Sequence, residues 1–430
     1  MVGVGILAGN ITGFFRVIVT AWFLGTHAHA DALVVALGPI DTITVAIINT
    51  MLVSFVPMLM SRHPASRAAV FVRARSVFVW ILLALVAVAI LFAPPLISLL
   101  GPGLARQEHD EAVTLLRIIA PAIFFGGISA LCSALLYTER RFLTPALYQV
   151  CINGSMVLCA ITLWPLLGPK GFAVGYTAGT ALQMAITWHA SRHLRRVDPL
   201  DRNAPVALLE LLTTPGMFLL YASLIAANVL VTRAFATHGG PGMAAALDYC
   251  LRCVGVLIAY LVYPIANTLL PEIAHLRNTG NTAQAYRLMN RSLGLMAIAS
   301  VLSCAVGLVV RTPIIGLLFQ RGSFTAESTT LVSAEFLGIA PCIVGWTMLD
   351  LLARCFFALD RPRLPLLAAF IPVTINLTVM LLLGKINDPA LLGVGMSVGL
   401  AVAFVSFYAT IRLQALPRYQ NRAMNSAVSK

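Results

Sequence analysis

The chain has 430 residues, 59% of them hydrophobic and 10% charged, with a net charge of +13. So little polar surface excludes a soluble domain; lipid must solvate most of the molecule. The basic residues are dispersed in short loops between apolar stretches, a pattern that excludes a nucleic-acid-binding face.

Met1 runs directly into an apolar stretch, so no cleavable signal peptide is expected. A membrane helix needs roughly 20 apolar residues. Twelve stretches meet that requirement, at about 4–25, 32–59, 77–100, 112–137, 143–166, 171–191, 207–232, 243–271, 290–318, 329–357, 364–384 and 389–412. Backbone amides in lipid must be bonded internally, so each is predicted helical. The eight cysteines lie in these stretches, and Cys250 and Cys253 read as packing residues on a helix, so neither a disulfide framework nor a metal site is predicted.

Nineteen of the 29 Lys and Arg fall in the loops and tail on one side, from Arg62 to Lys430. Five (Arg106, Lys170, Arg311, Arg321, Lys385) fall on the other, and the remaining five lie within spans. The positive-inside rule then places both termini in the cytoplasm. No outer loop carries a cluster of His, Asp and Glu, which weighs against a membrane enzyme, and no catalytic residue is assigned.

The second half repeats the first. Pro95-Leu-Ile-Ser-Leu-Leu100 returns as Pro313-Ile-Ile-Gly-Leu-Leu318, and Ile119-Ala-Pro121 returns as Ile339-Ala-Pro341. Tyr137–Pro145 has its counterpart in Phe357–Pro365. Six spans per half make the repeats parallel, related by an axis along the membrane normal, as in transporters that rock about a central interface. The lobes are predicted as residues 1–202 and 203–416, followed by a basic cytoplasmic tail, 417–430. Prolines 39, 121, 215, 264, 341 and 372 fall within spans and permit kinks.

Charges inside the spans each need a partner or a purpose. Arg16 lies near the middle of the first span with no carboxylate one turn away. It either lines a cavity and holds an anion, for which a guanidinium fork suits a diphosphate, or pairs with Asp41. Asp248 with Arg252, and Asp350 with Arg354, have the spacing of self-neutralising helical pairs. Arg233 and Arg117 could reach lipid headgroups. Glu335 is a proton or cation site, or else faces a watery vestibule.

The most specific motif is Leu317-Leu-Phe-Gln-Arg-Gly-Ser-Phe-Thr-Ala326, with Arg321, Gly322 and Phe324 as its signature. Together with Gly13-Phe-Phe-Arg16, Leu24-Gly25, Asp31-Ala32, Asn228–Arg233, Tyr249–Arg252 and Phe356–Pro365, it resembles the MviN/MurJ family of the multidrug and oligosaccharidyl-lipid exporter superfamily. The resemblance implies an all-α polytopic membrane protein of about twelve helices in two parallel six-helix repeats, a V-shaped alternating-access transporter. It further implies residence in the bacterial inner membrane and a polyprenyl-diphosphate-linked glycan, such as the lipid II peptidoglycan precursor, as cargo, with membrane lipid as the other partner. The headgroup candidates are Arg16, Arg252, Arg233, Asp31 and Asp248. No cofactor is implied, and no nucleotide-binding loop is present to supply energy.

The departures concern the cavity. Asn10, Trp22, Ile43, Thr44 and Ile48 stand where the family usually carries arginines and an acidic residue; Thr232 and Leu251 replace further acidic residues, the former part of a sodium site. Two further spans usual in the family do not follow the twelfth. An exopolysaccharide repeat unit is therefore the alternative cargo. A cation-coupled drug antiporter, a membrane enzyme using lipid-linked sugars and a degenerate paralogue acting as a scaffold are the readings from other classes. Drug efflux driven by an ion gradient would identify the antiporter, and turnover without transport the enzyme.

Overall fold

The computed structural model describes residues 2–51, 55–195, 208–279, 281–359, 363–384 and 388–410. The expected tail, 417–430, and the expected lobe boundary at 202/203 lie outside the described residues. In the first half, α1 (Val2–Leu24) and α2 (Ala28–Thr50) form a hairpin, α3 (Val56–Met60) is a short turn, and α4 (Pro64–Leu91) bends into α5 (Ala93–Leu100). A broken span, α6 (Arg106–Ile119) and α7 (Ala122–Thr138), is followed by α8 (Leu143–Ala146), α9 (Tyr148–Leu167) and α10 (Lys170–Ala190). The second half comprises α11 (Leu208–Ala236), α12 (Met243–Asn278), α13 (Thr282–Phe319), α14 (Ala326–Ile339), α15 (Cys342–Ala358), α16 (Arg363–Leu383) and a last helix, α17, over 394–410.

Among the described residues eight spans are long and apolar enough to cross a membrane, and the α14–α15 pair, bent by 49°, makes a ninth. The other three expected spans are α1, whose apolar run is Ala8–Leu24, α10 and α11, all helical where the sequence places them. The α10 helix carries Lys, Thr, Gln and His and packs against α7 and α9 rather than presenting a fully apolar surface. Helices α12 and α13 run to 36 and 38 residues, beyond the expected ends. At about 1.5 Å per residue they outreach a bilayer of roughly 40–45 Å and project past it.

The duplication is visible in the breaks. Helices α6 and α14 each have 14 residues, and α7 and α15 each have 17. Both spans interrupt at an Ala-Pro pair, Ala120-Pro121 and Ala340-Pro341, where proline removes a backbone hydrogen bond. The first copy still passes as one span, whereas the second is sharply bent.

Within the first half α10 packs on α9 and α7, and α2 on α6 and α7; within the second, α11 packs on α16, and α12 on α13, α14 and α15. Gly175 and Gly179 let α10 approach the α9 backbone so closely that a Cβ would stand 2.6 and 2.7 Å from Met156 Cα and Ile152 Cα. Small residues serve this purpose where lipid removes the hydrophobic drive for helix association. Trp80 and Leu91 on α4, Val309 on α13 and Leu382 on α16 point outward, as a lipid-facing belt requires.

The halves meet through α2 against α11 and α12, and α1 against α12 and α13. Their mutual hydrogen bonds gather at the end of the bundle that holds the 25–27 turn, here called the distal end; the N-terminus lies at the proximal end. Gly242 N–H and Ala245 N–H donate to Asp31 Oδ2 and Oδ1 at 2.5 and 2.7 Å. Tyr249 Oη donates to Gly25 O at 2.9 Å, and Ser323 N–H to Trp22 O at 2.8 Å. Thr26 and Ser328 hydroxyls lie 2.7 Å apart, and Gly103 N–H donates to Thr237 Oγ1 at 3.0 Å. The distal end is a closed seam.

Candidate functional site: a charged cavity between the halves

Below the seam a cavity of about 560 Å³ separates the halves. Its walls come from α1, α2 and α9 on one side and α11, α12, α15 and α17 on the other. Most of the lining is aliphatic, and the charges are few: Arg16, Arg233, Arg252 and Arg354 against Asp41, Asp248 and Asp350. Four guanidiniums facing three carboxylates leave an excess of one positive charge.

Arg16 is buried, and its Nη1 donates to Met156 Sδ at 3.4 Å. The salt bridge to Asp41 offered by the sequence is not formed; Asp41 instead accepts from Tyr176 Oη at 3.0 Å. Among the described residues Arg16 makes no ion pair within 4.0 Å. A thioether is a weak acceptor, so most of the donor capacity of this guanidinium is left for an anion.

Arg233 turns away from the headgroups and into the cavity wall, where its Nη2 donates to Asp248 Oδ1 at 2.9 Å. Gly38 makes this possible, because a Cβ there would stand 2.0 Å from Arg233 Nη1. Asp248 also holds Arg252, at 3.6 Å on its other oxygen. One carboxylate is thus shared by two arginines, and the expected self-neutralising pair becomes a triad across α11 and α12. Asp350 and Arg354 do form their expected pair, at 2.9 Å.

Asp31 does not line the cavity. Its two oxygens are occupied by the backbone N–H groups at the start of α12, a capping arrangement across the distal seam. Arg117 stays exposed, with its Nε 3.4 Å from Ile90 O. Glu335 faces no vestibule: it is fully buried, and neither carboxyl oxygen has a hydrogen-bond partner among the described residues.

The signature motif sits on the seam. Phe324 packs on Tyr249 and Phe319, with ring centroids 5.5 and 5.8 Å apart, and Arg321 Nη2 donates to Leu317 O at 3.3 Å. Gly322 has φ +60 and lies against Trp22. Thr232 joins a neutral network in which Asn376 Nδ2 donates to Thr232 Oγ1, Asn228 O and Asn228 Oδ1, each at 2.9 Å. Asn10 and Ile48 line a separate pocket of about 220 Å³ inside the first half. The sequence missed Gly38 and Tyr176, although the Gly38-Pro39 pair inside an apolar helix was a signal that a side chain packs closely there.

A two-fold helical bundle, sealed at one end over a central charged cavity, defines a multi-pass membrane transporter. The model of the family "Lipid II flippase MurJ" matches residues 20–428, and the chain belongs to that family. It is 27% identical over 404 residues to a "Probable lipid II flippase MurJ" of Rhizobium meliloti (strain 1021), covering 89% of this chain and 74% of that protein. Against a "Lipid II flippase MurJ" of Burkholderia cenocepacia it is 24% identical over 378 residues, covering 84% and 72%. Its fold is similar to a solved structure titled "Lipid II flippase MurJ, inward closed conformation", with a TM-score of 0.83 at 19% identity over 96% of this chain and 87% of that one. An inward-facing multidrug transporter of the MATE family follows, with a TM-score of 0.73 at 14% identity over 96% and 99%.

Proposed function

We propose that this protein is a flippase, without catalytic chemistry of its own, that moves a polyprenyl-diphosphate-linked glycan precursor of the lipid II kind across the cytoplasmic membrane. The observation that carries this reading is the placement of Arg16, buried on the cavity wall without an ion pair, opposite the Arg233–Asp248–Arg252 triad. A diphosphate entering the cavity would take paired hydrogen bonds from Arg16 and compete with Asp248 for Arg252, the more exposed member of the triad. The aliphatic lining suits the parts of the cargo that carry no charge. The proximal face is cytoplasmic in this reading, because the sequence assigns nineteen of the 29 basic residues to that side, twelve of them among the described residues. The closed distal seam then makes this a stage of the cycle in which the cavity is shut off from the outer face.

The test is rescue of a bacterium depleted of its own lipid II flippase. The wild-type chain should restore growth, and Arg16→Ala, at equal abundance in the membrane, should not. Rescue by Arg16→Ala would remove the cavity arginine from the mechanism. Failure of the wild type despite normal membrane expression would assign the excess of a single positive charge to another polyprenyl-linked glycan, an exopolysaccharide unit first.

Orientation is checked separately. A reporter fused after Arg195 should behave as cytoplasmic and one after Gly240 as external; the reverse pattern would invert the direction of transport.

A further inference from the structure

Glu335 is the one acidic side chain in the described spans that is wholly buried with both oxygens unbonded. It lies on α14, six residues before Pro341 and the 49° break of that span. Helix α14 packs on α12, on α13 and on the turn at Pro389–Leu391. From α12 the titratable neighbour is Cys250, whose Sγ donates to Val332 O at 3.2 Å. From α2 it is Asp31, the carboxylate that clamps the seam. On α13, Arg311 turns to Leu308 O, and beside the 389–391 turn Asp388 caps Ala390 N–H. No Lys or Arg forms an ion pair with Glu335 within 4.0 Å among the described residues.

An ionised carboxylate without a counter-charge or donor is not tolerated in such a setting; the group takes a proton instead. The setting exists only while the seam is shut, because α12, which covers Glu335, is the helix whose first turn is held by Asp31 across the seam. Parting of the halves at this end frees the α12 terminus and gives distal water a route to α14. A metal ion is a poorer occupant, since it would need several oxygen ligands and the described residues hold no group of three or more acidic, His or Cys side chains.

We infer that Glu335 is a proton-binding site, and that one proton taken up there from the distal side is required for the seam to close. In the step, hydronium from distal water gives its proton to the Glu335 carboxylate and leaves as water, and the neutral acid is then enclosed as α12 returns against α2. The inference rests on alternating access and is independent of the cargo, so its failure and the failure of lipid II rescue are separate results.

The experiment measures the distal opening by spin-label distances. Labels are placed on the exposed Arg106→Cys and Glu327→Cys, with Cys151, Cys159 and Cys253 replaced by alanine, in the full chain in lipid nanodiscs. In otherwise wild-type protein the ratio of closed to open should fall about tenfold per pH unit on the alkaline side of its midpoint, the slope of one required proton. Glu335→Gln, a permanent mimic of the neutral acid, should stay closed at every pH. Should that variant not fold, Glu335→Asp should shift the midpoint while keeping the slope. A wild-type distribution that ignores pH overturns the inference, as do a Glu335→Gln profile that follows the wild type and an unshifted Glu335→Asp midpoint. A closed fraction that tracks sodium at constant pH overturns it in favour of a metal ion.

Discussion

Asp248→Ala should destabilise the protein by about 3–5 kcal/mol, the cost of breaking a buried ion pair from one side. Its partner Arg233 is 9% exposed and would be left with an uncompensated guanidinium against Gly38 and α2. Arg252 is 37% exposed and 3.6 Å away, so Arg252→Ala should cost less, about 1 kcal/mol or under. The informative variant is the double one, Arg233→Met with Asp248→Leu. Replacing both members of a buried pair by apolar groups of similar size is often close to neutral, so thermal stability in detergent should largely return. If transport stays absent in that stable double variant, the triad handles cargo; if transport returns with stability, the triad is structural.

Gly25→Val should abolish transport without lowering abundance, by holding the distal seam open. Gly25 has φ +55, a conformation that costs a β-branched residue on the order of 1–2 kcal/mol, and a Cβ there would stand 2.3 Å from Ser323 O. The obstruction is main chain and cannot rotate away, so the 320–325 loop must withdraw. The readout is Ser328→Cys, whose side chain is buried beside Thr26 in the closed seam. A membrane-impermeant thiol reagent should modify it at least tenfold faster in the Gly25→Val background. An unchanged rate would mean that the loop adapts and that the seam is not the gate.

Much of this architecture was legible in the residues, because lipid imposes a simple rule: a spanning helix needs roughly 20 predominantly apolar residues. That rule located the spans, and the Ala-Pro repeats located both breaks. The mid-span position of Arg16 left a cavity lining or a pair with Asp41, and Arg16 lines the cavity without that pair. What pattern could not reach was the company each charge keeps. Arg233 sits at the end of its helix, where snorkelling is the ordinary outcome, and only a glycine from another helix turns it inward. Asp31 looked like a ligand for cargo, yet its partners are backbone N–H groups more than 200 residues away. For Glu335 the sequence left a proton or cation site, or else a watery vestibule, because nothing in its own segment reveals that α12 packs against its helix. Each miss is a long-range contact, and single-segment periodicity carries no information about those.

The distal seam has a consequence for the surroundings in which it works. Four of its hydrogen bonds use a main-chain group on one side and a fifth is main chain on both; among the described residues no opposite charges meet across it. With no ion pair there for salt to screen, the ionic strength of the medium bathing that face should barely alter how often the bundle opens. A gate held by salt bridges would loosen in brine and tighten in fresh water; this one keeps the same threshold in both.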